Sequence, residues 1–138
     1  MWYSYAIVRV VPHVERGELV NVGVVLFART VPLLIARMEL DSDRVRALAP
    51  DVDLDLVARH LRVFEAVCAG EPEGGPVAAL PAPERFHWLT APRSTIIQTS
   101  PVHLGRCDDA EVALNDLLER YVRRPAATAS EASVAEKH

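Results

Sequence analysis

Six side chains are candidates to line a site for an anionic ligand: Arg9, Arg16, Glu18, Asn21, Arg93 and Ser94. Guanidinium groups fork onto carboxylate or phosphate oxygens, and amides and hydroxyls add directional hydrogen bonds. Four of the six fall around the charged stretch Glu15-Arg16-Gly17-Glu18; the other two belong to FHWLTAPRSTIIQTSPVH, residues 86–103. Loops at the ends of a sheet are where sites collect, so these segments together suggest a site for an anionic substrate or ligand near the 15–18 loop and the 93–95 segment. Each segment also has a plain structural account. Gly17 suits a hairpin turn that needs a positive φ, Pro92 turns the chain, and Arg93 is then simply solvated.

Arg9 lies within the apolar stretch YSYAIVRVV and needs a carboxylate or several carbonyls if buried. A pair with Glu18 is the leading expectation, and anion binding by Arg9 the second. Strands deplete asparagine, so Asn21 also needs an explanation. Strict alternation puts it on the face of Leu19, Gly23, Val25 and Phe27. Gly23 leaves space on that face, which a bulge, an overlying ring or a ligand can fill.

Other catalytic patterns are missing from the sequence. There is no GxSxG, no HExxH and no glycine-rich phosphate loop. His103 and Cys107 are four apart, but Gly105 between them argues against one helix carrying both. Asp41, Asp43, Asp51, Asp53, Asp55, Asp108 and Asp109 cluster at expected helix starts, where capping and the helix dipole explain them. Cys68 and Cys107 are far apart, without metal-ligand spacing. These observations lean away from an enzyme and imply neither a metal nor a cofactor.

The chain has 138 residues, a net charge of -4, 50% hydrophobic and 25% charged residues, an ordinary balance for one domain with a real core. The negative charge and the 6% aromatic content argue against a nucleic-acid binder. Lys137 is the only lysine among 15 basic residues, the mark of a high-GC genome more than of chosen phosphate forks. No apolar run approaches the roughly 20 residues that span a bilayer, and the N-terminal segment lacks a basic flank, so no signal peptide or membrane partner is expected. The expectation is a soluble, cytoplasmic bacterial protein.

The elements that must position these residues follow from periodicity. Residues 3–11, 19–27 and 33–40 read as three strands joined by short turns, hence antiparallel. The first is apolar on both faces, which suits a central strand. A short helix over 43–49 follows, capped by Asp41 or Ser42. A longer one opens at Asp51 or Asp53 and stops at Gly70, with Leu54, Val57, Ala58, Leu61, Phe64 and Cys68 in one stripe. Residues 71–83 are proline- and glycine-rich loop. Residues 84–89 lean to a strand, 94–100 form a better one, and a last helix starts at Asp108 with Glu111 in capping-box spacing. The pattern predicts an α+β fold: an antiparallel sheet of four or five strands with two or three helices packed on one face. Residues 1–124 form this single domain, and 125–138 a disordered tail.

The stretches YSYAIVRVVPHVERGELVNVGVVLF, FHWLTAPRSTIIQTSPVH and LNDLLERYV resemble the bacterial domain-of-unknown-function family 3037 from Tyr3 to Val122. RGE followed by NVGVVLF is the distinctive part, with W-x-x-x-P-R as a second anchor. The resemblance brings no established activity. It implies small single-domain proteins, some encoded beside kinases similar to the toxin kinase HipA. A small accessory or binding module acting through a protein partner, such as a HipA-like kinase, is therefore the leading functional expectation. The alternative is an enzyme or small-ligand binder for an anionic substrate.

Overall fold

The two apolar runs near the N-terminus pair with each other within the sheet. The computed structural model describes residues 1–125. Among these the chain forms β1 (Trp2–Val10), β2 (Val20–Ala28), β3 (Leu33–Met38), α1 (Ser42–Leu48), α2 (Leu54–Ala69), α3 (Ala82–Thr90), β4 (Ile97–Thr99), β5 (His103–Arg106) and α4 (Ala110–Tyr121). The expected tail lies, Pro125 apart, outside the described residues.

The sheet runs β3-β2-β1-β4, and β5 also pairs with β1. All pairings are antiparallel. β4 and β5 share one edge of β1, against Val8–Val10 and Trp2–Tyr5 respectively. Ser100 bridges the break between them: its N–H donates to the Ile7 carbonyl at 2.8 Å, and its Oγ accepts the Ile7 N–H at 2.9 Å. Pro101 has no N–H to continue the ladder.

The fold is α+β with an antiparallel sheet, as expected, but the helices do not keep to one face: the four described helices cover both, because β1 and β2 are apolar on both sides. Ala6, Val8, Val10, Val20, Val22, Val25 and Phe27 pack with Val45, Val57, Leu61, Phe64, Val67, Phe86 and Leu89 from α1, α2 and α3. The fourth helix lies on the opposite face, where Leu114, Leu117 and Leu118 meet Ile7, Val24, Leu26 and Ala28. Each such Val, Leu, Ile or Phe side chain contributes about 1.5–3 kcal/mol by leaving water.

Caps delimit the helices. Asp41, Asp53 and Asp109 accept N–H groups of the first turns of α1, α2 and α4. The cap of α4 is therefore Asp109 and not Asp108, because Asp109 reaches both Glu111 N and Val112 N. Gly70 ends α2 with φ +74°, a left-handed cap. Arg85 then binds carbonyls at that terminus, Val67 O at 3.1 Å and Cys68 O at 2.5 Å, as well as Leu80 O at 2.9 Å.

Two expected strands change. Residues 84–89 are helical, within α3: Pro81 and Pro83 sit at the helix start, where proline is well suited, and Phe86 and Leu89 turn to the core. The strand expected over 94–100 shrinks to Ile97–Thr99.

The hairpin contains the most consequential departure. Val8 pairs with Gly23, but Arg9 pairs with Asn21, leaving Val22 as an extra residue in β2. This is a β-bulge, and it shifts the alternation by one. Val20 and Val22 face α2 and α3 before it; Val25 and Phe27 do so after it. Asn21 consequently faces α4 together with Val24 and Leu26, not with Val25 and Phe27 as strict alternation requires.

Candidate functional site

The β1–β2 connection contains a single 3₁₀ turn, Val14–Arg16, ended by Gly17 at φ +69°. That glycine is conformational, with open space around its Cα. Arg16 and Glu18 form an exposed ion pair with each other. The hydrogen bond from Arg16 holds the Glu18 carboxyl below the usual range. At the surface such a pair is screened and contributes little. Glu18 is therefore taken, and the expected Arg9–Glu18 pair is corrected: the ladder partner of Arg9 is Asn21.

Arg9 and Asn21 sit side by side on the α4 face. The Asn21 Nδ2 donates to the Tyr121 carbonyl at 2.9 Å, at the end of α4. The Arg9 Nε and the Asn21 Oδ1 are both buried without a hydrogen-bond partner. The space at Gly23 is not a ligand slot, because β3 fills it. A Cβ there would come within 2.7 Å of the Arg37 carbonyl, and nearer still to Met38 Sδ.

The 93–95 segment lies at the same sheet end as the hairpin loop, since Val11 N donates to Ile96 O at 2.7 Å. It is on the other face. Arg93 donates to the Trp88 carbonyl and stacks 4.3 Å from the centre of the Trp88 ring. Together with His60, Phe64 and Thr95 it lines a pocket of about 150 Å³. Ser94 is exposed. The six residues singled out from the sequence thus do not converge. Arg9 and Asn21 share one face, Arg93 folds onto α3 on the other, and Arg16 and Glu18 close on each other at the rim.

Two further groups were missed. Tyr5 lies on the α4 face with its ring 5.5 Å from His103 and 5.8 Å from Tyr3. Period-2 spacing from Arg9 was the available signal. At the far end of the sheet, Trp2 is 59% and Leu104 71% exposed, and both line a hollow of about 200 Å³ with Phe27 and Arg29. The Arg106 guanidinium stacks 4.9 Å from the Trp2 ring. Leu104 carried no signal, because β5 is defined only by its pairing to Trp2–Tyr5.

The densest ionic cluster is structural. Arg123 forks onto both oxygens of Glu39 at 2.7 and 2.8 Å, Arg124 onto Asp41 at 2.6 and 2.9 Å, and Arg44 donates to Val122 O at 2.8 Å. These bonds tie the end of α4 to the β3–α1 junction. Hydrogen bonds from Arg123 and Arg124 hold the Glu39 and Asp41 carboxyls below their usual values. Among the described residues no group of three or more His, Cys, Asp or Glu is placed to hold a metal ion. No described helix is long and apolar enough to cross a membrane.

The fold and its sites define a small α+β protein with a sheet clad by helices on both faces. The chain belongs to the family described as protein of unknown function (DUF3037), whose model matches residues 5–122. Neither a curated protein nor a solved structure matches it.

Proposed function

We propose that the protein is a docking module that binds a protein partner through the Trp2–Leu104 end of its sheet. The observation that carries this reading is the exposure of Trp2 and Leu104 as neighbours on β1 and β5. Large apolar side chains rarely stand this bare side by side without a partner, and tryptophan is among the commonest interface anchors. Val102, 45% exposed, extends the patch. β5 has β1 on one side and no described strand on the other, so its outer backbone groups are open to an added strand. Arg29 and Arg106 flank the apolar surface. A complementary partner is an extended segment alternating apolar and acidic side chains. The partner class implied by the sequence resemblance, a kinase similar to HipA, is the first to try.

The test is affinity capture from native lysate, followed by titration of each identified partner against the purified chain. Leu104→Glu removes the anchor at an exposed position, and Val112→Glu on α4 serves as control, since Val112 is also exposed, on the opposite face. A hot-spot anchor is worth about 2 kcal/mol, roughly 30-fold in Kd. Loss of that size in Leu104→Glu but not in Val112→Glu supports the reading. Equal binding by both variants overturns it.

A further inference from the structure

The pocket beside Arg93 shares no lining residue with the Trp2–Leu104 hollow, so it argues separately from the docking surface proposed above. Three elements build it. α2 supplies His60, Val63 and Phe64, whose i, i+3, i+4 spacing puts them on one side of the helix. α3 supplies Trp88 and Leu89, and β4 supplies Ile97. Phe64, Leu89 and Ile97 are buried and form an apolar floor, while Val63 and Trp88 stand exposed beside it. The volume is about 150 Å³. An apolar cavity of about 150 Å³ lined by Leu, Ile and Phe is large enough to take one benzene ring.

The charge around this floor is one-sided. No Asp or Glu lines the pocket, although the chain carries 19 of them. Arg16, Arg37, Arg46, Arg123 and Arg124 each hold a carboxylate. Among the described residues Arg93 holds none. It spends one terminal nitrogen on the Trp88 carbonyl, and its Nε and other terminal nitrogen stay uncommitted. Stacking 4.3 Å from the centre of the Trp88 ring fixes the guanidinium in place without neutralising it. The neighbouring side-chain donors are already engaged: Thr95 Oγ1 with Ile97 O at 2.7 Å, and Gln98 Nε2 with Thr95 O at 3.0 Å. An apolar floor beside a fixed, unpaired cation suits a ligand with one flat apolar end and one anionic end.

We propose that this pocket binds a small aromatic carboxylate. The ring lies against Phe64, Leu89 and Ile97, and the carboxylate accepts from the uncommitted nitrogens of Arg93 at the rim. Phe64 and Trp88 favour an aromatic ring over a saturated one, because ring pairs add edge and face contacts beyond the area they bury. The volume limits the ligand to a single ring.

Calorimetric titration and thermal shift of the full chain with benzoate, cyclohexanecarboxylate, benzyl alcohol and acetate test this. A ligand of this size reaches a Kd on the order of 1 mM. At about tenfold excess over that value, benzoate raises Tm by roughly 5 °C. Benzyl alcohol keeps the ring without the charge, and acetate keeps the charge without the ring; each binds about tenfold more weakly. Cyclohexanecarboxylate, which is not flat, binds about threefold more weakly. Arg93→Gln lowers the affinity for benzoate about tenfold and leaves that for benzyl alcohol unchanged, a split that general damage to the fold does not produce. Arg62→Gln, at an exposed position of α2 outside the pocket, changes neither. The wild-type chain, which needs no variant to fold, has two tryptophans, one at each site. On titration with benzoate the Trp88 indole N–H resonance moves and that of Trp2 stays. The proposal is overturned if benzoate shifts neither Tm nor the Trp88 resonance, or if any of the three comparison compounds binds as well as benzoate. It is equally overturned if Arg93→Gln binds benzoate as well as wild type, or if the Trp2 resonance moves instead, which would place the ring in the docking surface.

Discussion

Gly23→Ala adds one methyl group at the bulge and sets two effects of opposite sign against each other. Alanine restricts the unfolded chain, which favours folding by about 0.4–1 kcal/mol. In the folded state the new Cβ lies 2.7 Å from the Arg37 carbonyl oxygen and 3.2 Å from Met38 Cα, with Met38 Sδ closer still. A thioether swings aside at small cost, but the other two atoms are main chain of β3, held by the Val24–Arg37 and Gly23–Met38 pairs. Overpacking of this kind costs about 1–3 kcal/mol, and backbone obstruction places it in the upper part of that range. The net loss is about 1–2 kcal/mol, a fall in Tm of roughly 4–8 °C for a domain of this length. Thermal and urea unfolding measure it directly. Repeating the substitution in a Met38→Ala background separates the two obstructions: the sulfur is gone and the carbonyl is not, so most of the penalty persists. A rise in Tm in Gly23→Ala, or a penalty that vanishes with Met38→Ala, refutes the reasoning.

Two further outcomes follow from the titratable groups. Glu39 and Asp41 have folded pKa values depressed by their arginine partners, so their contribution to stability is complete above the unfolded values of about 4.5 and 3.8 and is lost as pH falls through the lower folded ones. Urea midpoints measured from pH 7 down to pH 3 should fall less steeply in Glu39→Gln than in wild type, and the difference should shrink at high salt, both partners being partly exposed. Burial pushes the Cys68 thiol up to about 12, whereas Cys107 is only partly buried. At pH 8 a thiol reagent should modify Cys107 first and Cys68 only at the rate of unfolding; equal native-state rates, read by mass spectrometry, would count against the packing of α2.

The parts of the fold legible in the sequence are those with long, single-period patterns. β1, β2 and β3 follow from apolar runs broken by turn residues, and α2 from its stripe between Asp53 and Gly70. The apolar character of both faces of β1 reads only as the mark of a central strand, and the expected helices keep to one face; α4 covers the other. α3 was obscured because six residues cannot distinguish a helix from a strand and its decisive signal is the proline pair at its start. β5 was obscured because HLGR has no pattern of its own; long-range pairing to Trp2–Tyr5 makes it a strand. Gly105 within it lies under the Tyr3 ring, so the overlying ring considered for Gly23 is found two strands away, on β5. Arg9 and Asn21 were identifiable as anomalies by type, but their common face was not. It depends on the bulge, which moves a residue across the sheet without changing the composition of the run.

α4 follows every strand in the chain, so a ribosome finishes all the strands before it delivers the helix that covers one face. Val22, Val25 and Phe27 can meet α2 and α3 during synthesis, while Val24, Leu26 and Ala28 wait bare. The nascent molecule is therefore one-sided, and its uncovered face is a strip of aliphatic surface that a chaperone or a neighbouring nascent copy encounters first. Arrival of α4 closes that interval, and Arg44, Arg123 and Arg124 fasten the helix end only after Glu39, Asp41 and the rest of the β3–α1 junction have long been made.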